Sequence, residues 1–212
     1  PAVDVLWVVD NSCSMVEEQN KLSENFPLFM DYFLSSNLDY HIGVVSTDML
    51  SESDKGRLQE RSGYRYIDNT VTNAAALFSQ MAVLGVNGDT DEKGIAATYA
   101  ALELKRDGYN NGFLRDEATL SVIIISDEND YTNGNPITRP EFISWLRNLK
   151  ASPDFVSFSS IVGPQTGCLT AEAGLDYLAV TNAVGGIKWS ICKEDWAPVL
   201  EELGLQAAGL RR

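Results

Sequence analysis

The stretch Val3-Asp4-Val5-Leu6-Trp7-Val8-Val9-Asp10-Asn11-Ser12-Cys13-Ser14 decides how the rest of the chain reads. Apart from Asp4, its first seven residues are apolar and rich in β-branched side chains. A near-continuous apolar run of strand length predicts a strand buried on both faces, as in a parallel sheet covered by helices. The run stops at Asp10-Asn11-Ser12, residues that favour turns and helix starts. Asp10, Ser12 and Ser14 then occupy alternate positions, D-x-S-x-S, and alternate residues in a loop at a strand's end can all point to one spot. One carboxylate and two hydroxyls are hard oxygen donors, suited to Mg2+, Mn2+ or Ca2+ rather than to soft metals. Hydroxyls are neutral, so such a set leaves the ion incompletely neutralised and open to a further carboxylate from a partner. The plainer reading is that Asp10 and Ser12 only cap the following helix, which explains little of the pattern.

Working outward, Leu22, Phe26, Phe29, Met30 and Phe33 form one helical face, with Pro27 inside it expected to kink or split the helix. Residues 40–46 predict a second buried strand. Residues 47–69 predict a long polar loop holding a short edge strand or hairpin around 64–67. Residues 73–84 and 94–104 predict helices separated by a break at 85–88, the second with Ile95, Tyr99 and Leu102 turned inward. The strongest strand, 120–125, ends in the acidic loop Ser126-Asp127-Glu128-Asn129-Asp130. A helix at 140–149 with Pro140 in its first turn, a strand at 156–162, a helix at 175–184, a strand at 187–192 and a helix at 196–203 complete the pattern. This alternation predicts an α/β fold: a doubly wound, mostly parallel sheet with helices on both faces. In such sheets ligands bind beyond the carboxyl ends of the strands. The polar clusters at 10–14, 47–48 and 127–130 fall at those ends.

The 212 residues, 44% of them hydrophobic, suffice for one sizeable core, and no linker, repeat or low-complexity tract divides them. The expectation is one domain over 1–212. No apolar run approaches the roughly 20 residues of a membrane helix, so no membrane insertion is expected. A net charge of -14 repels phosphate backbones and argues against nucleic acid as a partner. The plain reading of that charge is solubility; the sharper one is that some of the acids cluster to hold cations, and the two are compatible. The chain begins at Pro1 without the start of a signal peptide and ends at Arg212, and is expected to be part of a longer processed protein. No pair among Cys13, Cys168 and Cys192 has zinc-type spacing. Cys168 and Cys192 are either two free thiols or a disulfide closing a loop of about 25 residues, for which chain entropy gives roughly 3.5 kcal/mol.

The string Val8-Val9-Asp10-Asn11-Ser12-Cys13-Ser14-Met15 resembles the first metal-binding loop of the von Willebrand factor A (VWA) family. The layout is similar over nearly the whole chain. The strings 40–48 (YHIGVVSTD), 112–115 (GFLR) and 124–128 (IISDE) resemble a group of bacterial exported or lipoprotein-type VWA proteins. The resemblance implies a metal ion-dependent adhesion site (MIDAS) on the upper edge of the sheet. It assigns Asp10, Ser12 and Ser14 as ligands from the first loop, Thr90 from the loop before a helix, and Asp127 from the end of a later strand. Against some members the loop carrying Gly88-Asp89-Thr90 is one residue short, and Asp89, Asp91 and Glu92 stand as alternative or additional ligands there. Cys13 stands where the family commonly has Gly. Cys168 and Cys192 resemble a cysteine pair of the bacterial group, which favours the disulfide and an oxidising compartment.

These readings imply a binding or adhesion module that engages a protein or glycan through a bound Mg2+, Ca2+ or Mn2+ ion, located outside the cell, on its surface or in the periplasm. The alternatives are a scaffold stapled by its metal and a metal-dependent hydrolase. The hydrolase lacks support: the chain has one histidine, His41, read as structural, and no G-x-S-x-G or H-E-x-x-H motif. A second Ca2+ site among Asp127, Glu128 and Asp130, or among Asp89, Asp91 and Glu92, competes with the simpler reading of a solvated acidic rim. The four tryptophans read as core or core-edge residues.

Overall fold

The computed structural model describes residues 1–209; the end of the chain, 210–212, lies outside the described residues. The central sheet has five strands: β1 (Ala2–Val9), β2 (Asp39–Ser46), β3 (Thr119–Ser126), β4 (Val156–Val162) and β5 (Lys188–Ser190). Their order is β2-β1-β3-β4-β5, and every pairing is parallel. The helices are α1 (Val16–Ser35), α2 (Ala74–Ala82), α3 (Gly94–Tyr99), α4 (Arg139–Arg147), α5 (Leu175–Val184) and α6 (Ala197–Ala207). A π-helical turn, Ala100–Leu104, continues α3.

Side chains alternate across each strand, and here both faces are covered. Val3, Val5, Trp7 and Val9 of β1 face a core shared with α1, α2 and α6, while Leu6 and Val8 face one shared with α3, α4 and α5. This two-sided burial is the reason the strand reads as a continuous apolar run. Trp7 meets Phe29 and Phe78 edge-on, with ring centroids 5.2 and 5.6 Å apart. Trp7 and Trp196 are fully buried, and Trp145 and Trp189 are partly so.

Three local expectations differ from the structure. Pro27 does not split α1, which runs through it for 20 residues. The missing N–H costs one backbone bond, and Phe26, Phe29, Met30 and Phe33 on either side hold both halves against the core. The hairpin near 64–67 is reduced to a turn joining Arg61 to Tyr64 and a single antiparallel bridge between Ile67 and Ile42. The last strand is shorter than expected, three residues against six, because its pairing with β4 ends at Ser190.

The polar groups at the two ends of β1 serve different purposes. At its start, buried Asp4 accepts from the Arg115 backbone N–H (2.7 Å) and from Arg115 Nε (2.9 Å), with Lys150 Nζ 3.8 Å away. His41 uses Nδ1 on the Phe113 carbonyl at 2.9 Å and packs over Tyr66, the structural role expected of it. At the other end, the order β2-β1-β3-β4 sends the connection after β1 toward β2 and the connection after β3 the opposite way, toward β4. That switch point opens a crevice at the strands' carboxyl ends.

Candidate metal centre

Register brings the site together. Val9 pairs with Ser46 on one side and Ile125 on the other, so Asp10 emerges between Thr47 and Ser126. Asp10 is fully buried, and its N–H donates to the Ile125 carbonyl at 3.0 Å. Its Oδ1 accepts the Ser12 N–H at 2.7 Å and its Oδ2 accepts the Ser126 hydroxyl at 2.6 Å. The Ser12 and Ser14 hydroxyls lie 3.2 Å apart, Ser12 buried and Ser14 exposed. The alternation of D-x-S-x-S thus places its three polar side chains on one side of the turn. Cys13, between them, is an exposed free thiol.

The surrounding loops are tied to this turn. Gln19 of α1 donates to the carbonyls of Asp10 (2.9 Å) and Gly85 (3.0 Å). Asn11 Oδ1 accepts the Ser46 hydroxyl at 2.8 Å, and the Asn11 carbonyl accepts the Gly88 N–H at 3.0 Å. Gly88 leaves room for this approach: a Cβ there would lie 2.2 Å from Asn11 Oδ1, and the Asn11 side chain, held by Ser46, would have to shift. Asp48 accepts from the N–H groups of Leu50 and Ser51 and organises its own turn. Asp130 accepts from the Ile95 N–H at 2.9 Å, so it caps α3 from a different loop, as Thr132 does through the Ala96 N–H. Asp89 is held by Lys93 at 3.0 Å. These acids are engaged in building loops.

Two carboxylates stand out. Asp127, 6% exposed, has a buried Oδ1 that no hydrogen-bond donor reaches. Glu92, 1% exposed, has one oxygen bonded by the Thr47 hydroxyl and the other, Oε1, buried and without a donor. Thr90 lies exposed on the rim; among the described residues only its backbone is engaged, toward Asp89. The structure therefore brings together Asp10, Ser12, Ser14 and Asp127, and adds Glu92, Thr47 and Ser126 at the same edge. The sequence signal for Thr47 and Ser126 was their place immediately after or at the end of a buried strand.

The electrostatics follow from crowding acids in a buried place. Burial, with Asp127 adding to it against hydrogen bonds from Ser126 and Ser12, raises Asp10 to about 6. Burial and the Asp10 carboxylate raise Glu92 to about 9. Burial, Asp10 and Asp127 raise Glu128 to about 7. Among the described residues no three His, Cys, Asp or Glu side chains are gathered as a preformed metal cage. The donors on offer are hydroxyls and carboxylates carried by separate loops. They are all hard oxygens, and two buried carboxylate oxygens lack the partner that burial requires. On both counts the residues fit a hard divalent cation.

Beside the site runs a groove of about 720 Å3, lined by Asp127, Glu128, Asn129 and Tyr131 and by the loop carrying Leu169 and Glu172. Cys168 at the foot of that loop is disulfide-bonded to Cys192, with Cα atoms 6.6 Å apart. Leu169 is fully exposed.

No protein-family profile matches this sequence, and no curated protein matches it. Among solved structures, proximal thread matrix protein 1 (PTMP1) from the mussel byssus is similar, with a TM-score of 0.54 and 13% identity over 98% of this chain and 46% of that one. A structure of the same mussel protein with a zinc-occupied MIDAS motif gives a TM-score of 0.53 at 13% identity. The chain thus spans about half the length of the structures it matches, 46%. At this identity the likeness is one of fold. It supports the VWA-type architecture and does not support a bacterial group in particular.

Proposed function

We propose that this chain is a metal ion-dependent binding module, with the cation held at the carboxyl edge of the sheet by Asp10, Ser12, Ser14 and Asp127. The observation that carries this reading is the unpartnered, buried Asp127 Oδ1 at the same edge as the Asp10 turn. The zinc in the MIDAS motif of the mussel protein supports a divalent cation in a fold of this kind. The donor chemistry favours Mg2+, Ca2+ or Mn2+. Thr90 is exposed, and its loop would need to move for it to join them.

When bound, the ion supplies an electrophilic open position for an oxygen of a partner. The chain's residues do the rest. Asp10 is oriented by Ser12 and Ser126, and Gln19 fixes the turn to α1 and to the loop at Gly85. The groove beside Asp127 gives the partner a seat. The partner we infer is a protein or glycan offering a carboxylate or other oxygen. At long range the charge of -14 opposes an acidic partner, and at contact the local charge of the ion dominates.

A binding role is favoured over hydrolysis because the one histidine sits at the far end of the sheet. His41 pairs in register with Asp4, near the start of β1, and its Nδ1 is occupied by a backbone carbonyl. The disulfide supports export to an oxidising compartment. Among the described residues no helix is long and apolar enough to cross a membrane.

The test is calorimetric titration of Mg2+, Ca2+ and Mn2+ into metal-stripped protein, beside the double variant Asp10→Ala, Asp127→Ala. One ion bound by the wild type and none by the variant is expected. Equal uptake by both, or none by either, would reduce Asp10 and Asp127 to ordinary loop acids.

A further inference from the structure

We propose that Glu92, rather than Thr90, completes the cation site from the third loop. This rests on the cation site proposed above. It also changes the character of that site, from two carboxylates among hydroxyls, Asp10 and Asp127, to three, with Glu92 added from the loop before α3.

Three independent observations converge on Glu92. The first is position: Glu92 is 1% exposed, whereas Thr90 is exposed and its hydroxyl is unengaged among the described residues. The second is a missing partner. The Thr47 hydroxyl satisfies one Glu92 oxygen, while Oε1 is buried without a donor. Buried carboxylate oxygens are ordinarily hydrogen-bonded or held against a cation, because the cost of leaving one unpaired is large. The third is what lies beside it: Thr47, which bonds Glu92, follows Ser46, the register partner of Val9, so Glu92 is held at the same strand ends as Asp10. Two acids held together in a dry site need either a shared proton or a shared cation between them.

The loop is also built to hold Glu92 where it is. Its carbonyl accepts the Tyr131 N–H at 2.6 Å, tying it to the loop after β3. The next residue, Lys93, donates its N–H to the Thr47 carbonyl at 3.3 Å, tying it to the loop after β2. Gly94, which opens α3, packs where a Cβ would lie 2.6 Å from Ile124. Glu92 is therefore fastened to both strands that flank β1, and Thr90 is fastened to neither. With Asp10 and Asp127, Glu92 makes three carboxylates around a divalent ion, so the demand for a negatively charged group from a partner is removed, and a neutral oxygen from a glycan or a backbone carbonyl suffices.

The competing account is a proton shared by Asp10 and Glu92 with no role for a cation. Glu92→Gln separates the two, because the amide keeps a hydrogen bond to Asp10 and removes the charge a cation needs. Metal-stripped wild type, Thr90→Val and Glu92→Gln are titrated with Mg2+, Ca2+ and Mn2+ by calorimetry, with the melting of each followed by circular dichroism. Glu92→Gln is expected to weaken cation binding by on the order of 10- to 100-fold or more, while Thr90→Val binds as the wild type does. Wild-type affinity in Glu92→Gln, or its loss in Thr90→Val, overturns the assignment and leaves the cation site standing. Absence of binding in the wild type overturns both. A second measurement needs no Glu92 variant: Ca2+-induced infrared difference spectra of protein labelled with 13C-glutamate. An isotope-shifted carboxylate band is expected in the wild type and in Glu128→Gln. A spectrum without that band means that only aspartates respond, which overturns the proposal.

Discussion

At the scale of single residues, the site is a set of acids kept close by burial, and its pH behaviour follows. In the unfolded chain Asp10, Glu92 and Glu128 release their protons near the ordinary carboxyl values of about 4. In the folded chain burial and mutual repulsion raise them to about 6, 9 and 7. The folded state therefore binds more protons than the unfolded state between about pH 4 and pH 9, and stability falls as pH rises through that window. Metal-stripped protein is expected to melt at a lower temperature at pH 9 than at pH 7. Saturating Ca2+ should flatten the profile, and a metal-free profile already flat from pH 7 to 9 would refute the crowding. Gly88 is the other residue whose identity matters here. Gly88→Ala sets a methyl 2.2 Å from Asn11 Oδ1, which is engaged by Ser46. A loss of about 1–3 kcal/mol is expected in urea unfolding, and an unchanged midpoint would show that Asn11 gives way freely.

At the scale of the element, β1 carries the two polar clusters at opposite ends. Asp4 is buried under Arg115, with Lys150 nearby and His41 at its edge. Removing one member of a buried charge cluster leaves the others uncompensated, so Asp4→Ala is expected to cost about 3–5 kcal/mol in guanidinium unfolding. Cation affinity in the surviving folded fraction should stay at the wild-type value, because Asp4 lies a strand's length from Asp10. A joint loss of affinity and stability would mean that the two ends of β1 are coupled. Helix α4 gives a contrasting, local case. Thr138 and Glu141 form a reciprocal capping box at its start. Thr138→Ala should cost about 1 kcal/mol, read from the same unfolding curve.

At the scale of the whole molecule, the metal and the disulfide are two separate constraints. Reduction of Cys168–Cys192, whose cysteines stand 24 positions apart, is expected to lower stability by roughly 3.5 kcal/mol in the chain-entropy account. The bridged loop forms one wall of the groove, so reduction should loosen that wall while cation binding at the far side of Asp127 persists. Cation at about 100 times its dissociation constant should raise stability by about 2.7 kcal/mol through preferential binding to the folded state. Unfolding at 25 °C on metal removal alone would instead mark the ion as a staple.

The features legible along the chain are those that depend on sequence neighbours. The apolar run 3–9, the D-x-S-x-S turn and the alternation of strand and helix patterns are local signals. They sufficed for the fold class, for the order of elements and for Asp10, Ser12 and Ser14 at one turn. Asp127 was legible because it follows a buried strand directly. Which residues of the loop at 85–93 turn inward depends on packing between distant segments. That loop has no periodicity, and Thr90, Asp91 and Glu92 are equivalent to any reading along the chain. Burial of Glu92 comes from Thr47, Tyr131 and Asp10, which are 45, 39 and 82 positions away. The unbroken course of α1 through Pro27 has the same cause. Its backbone penalty is local, and the aromatic packing that offsets it comes from Trp7 and Phe78 on other elements.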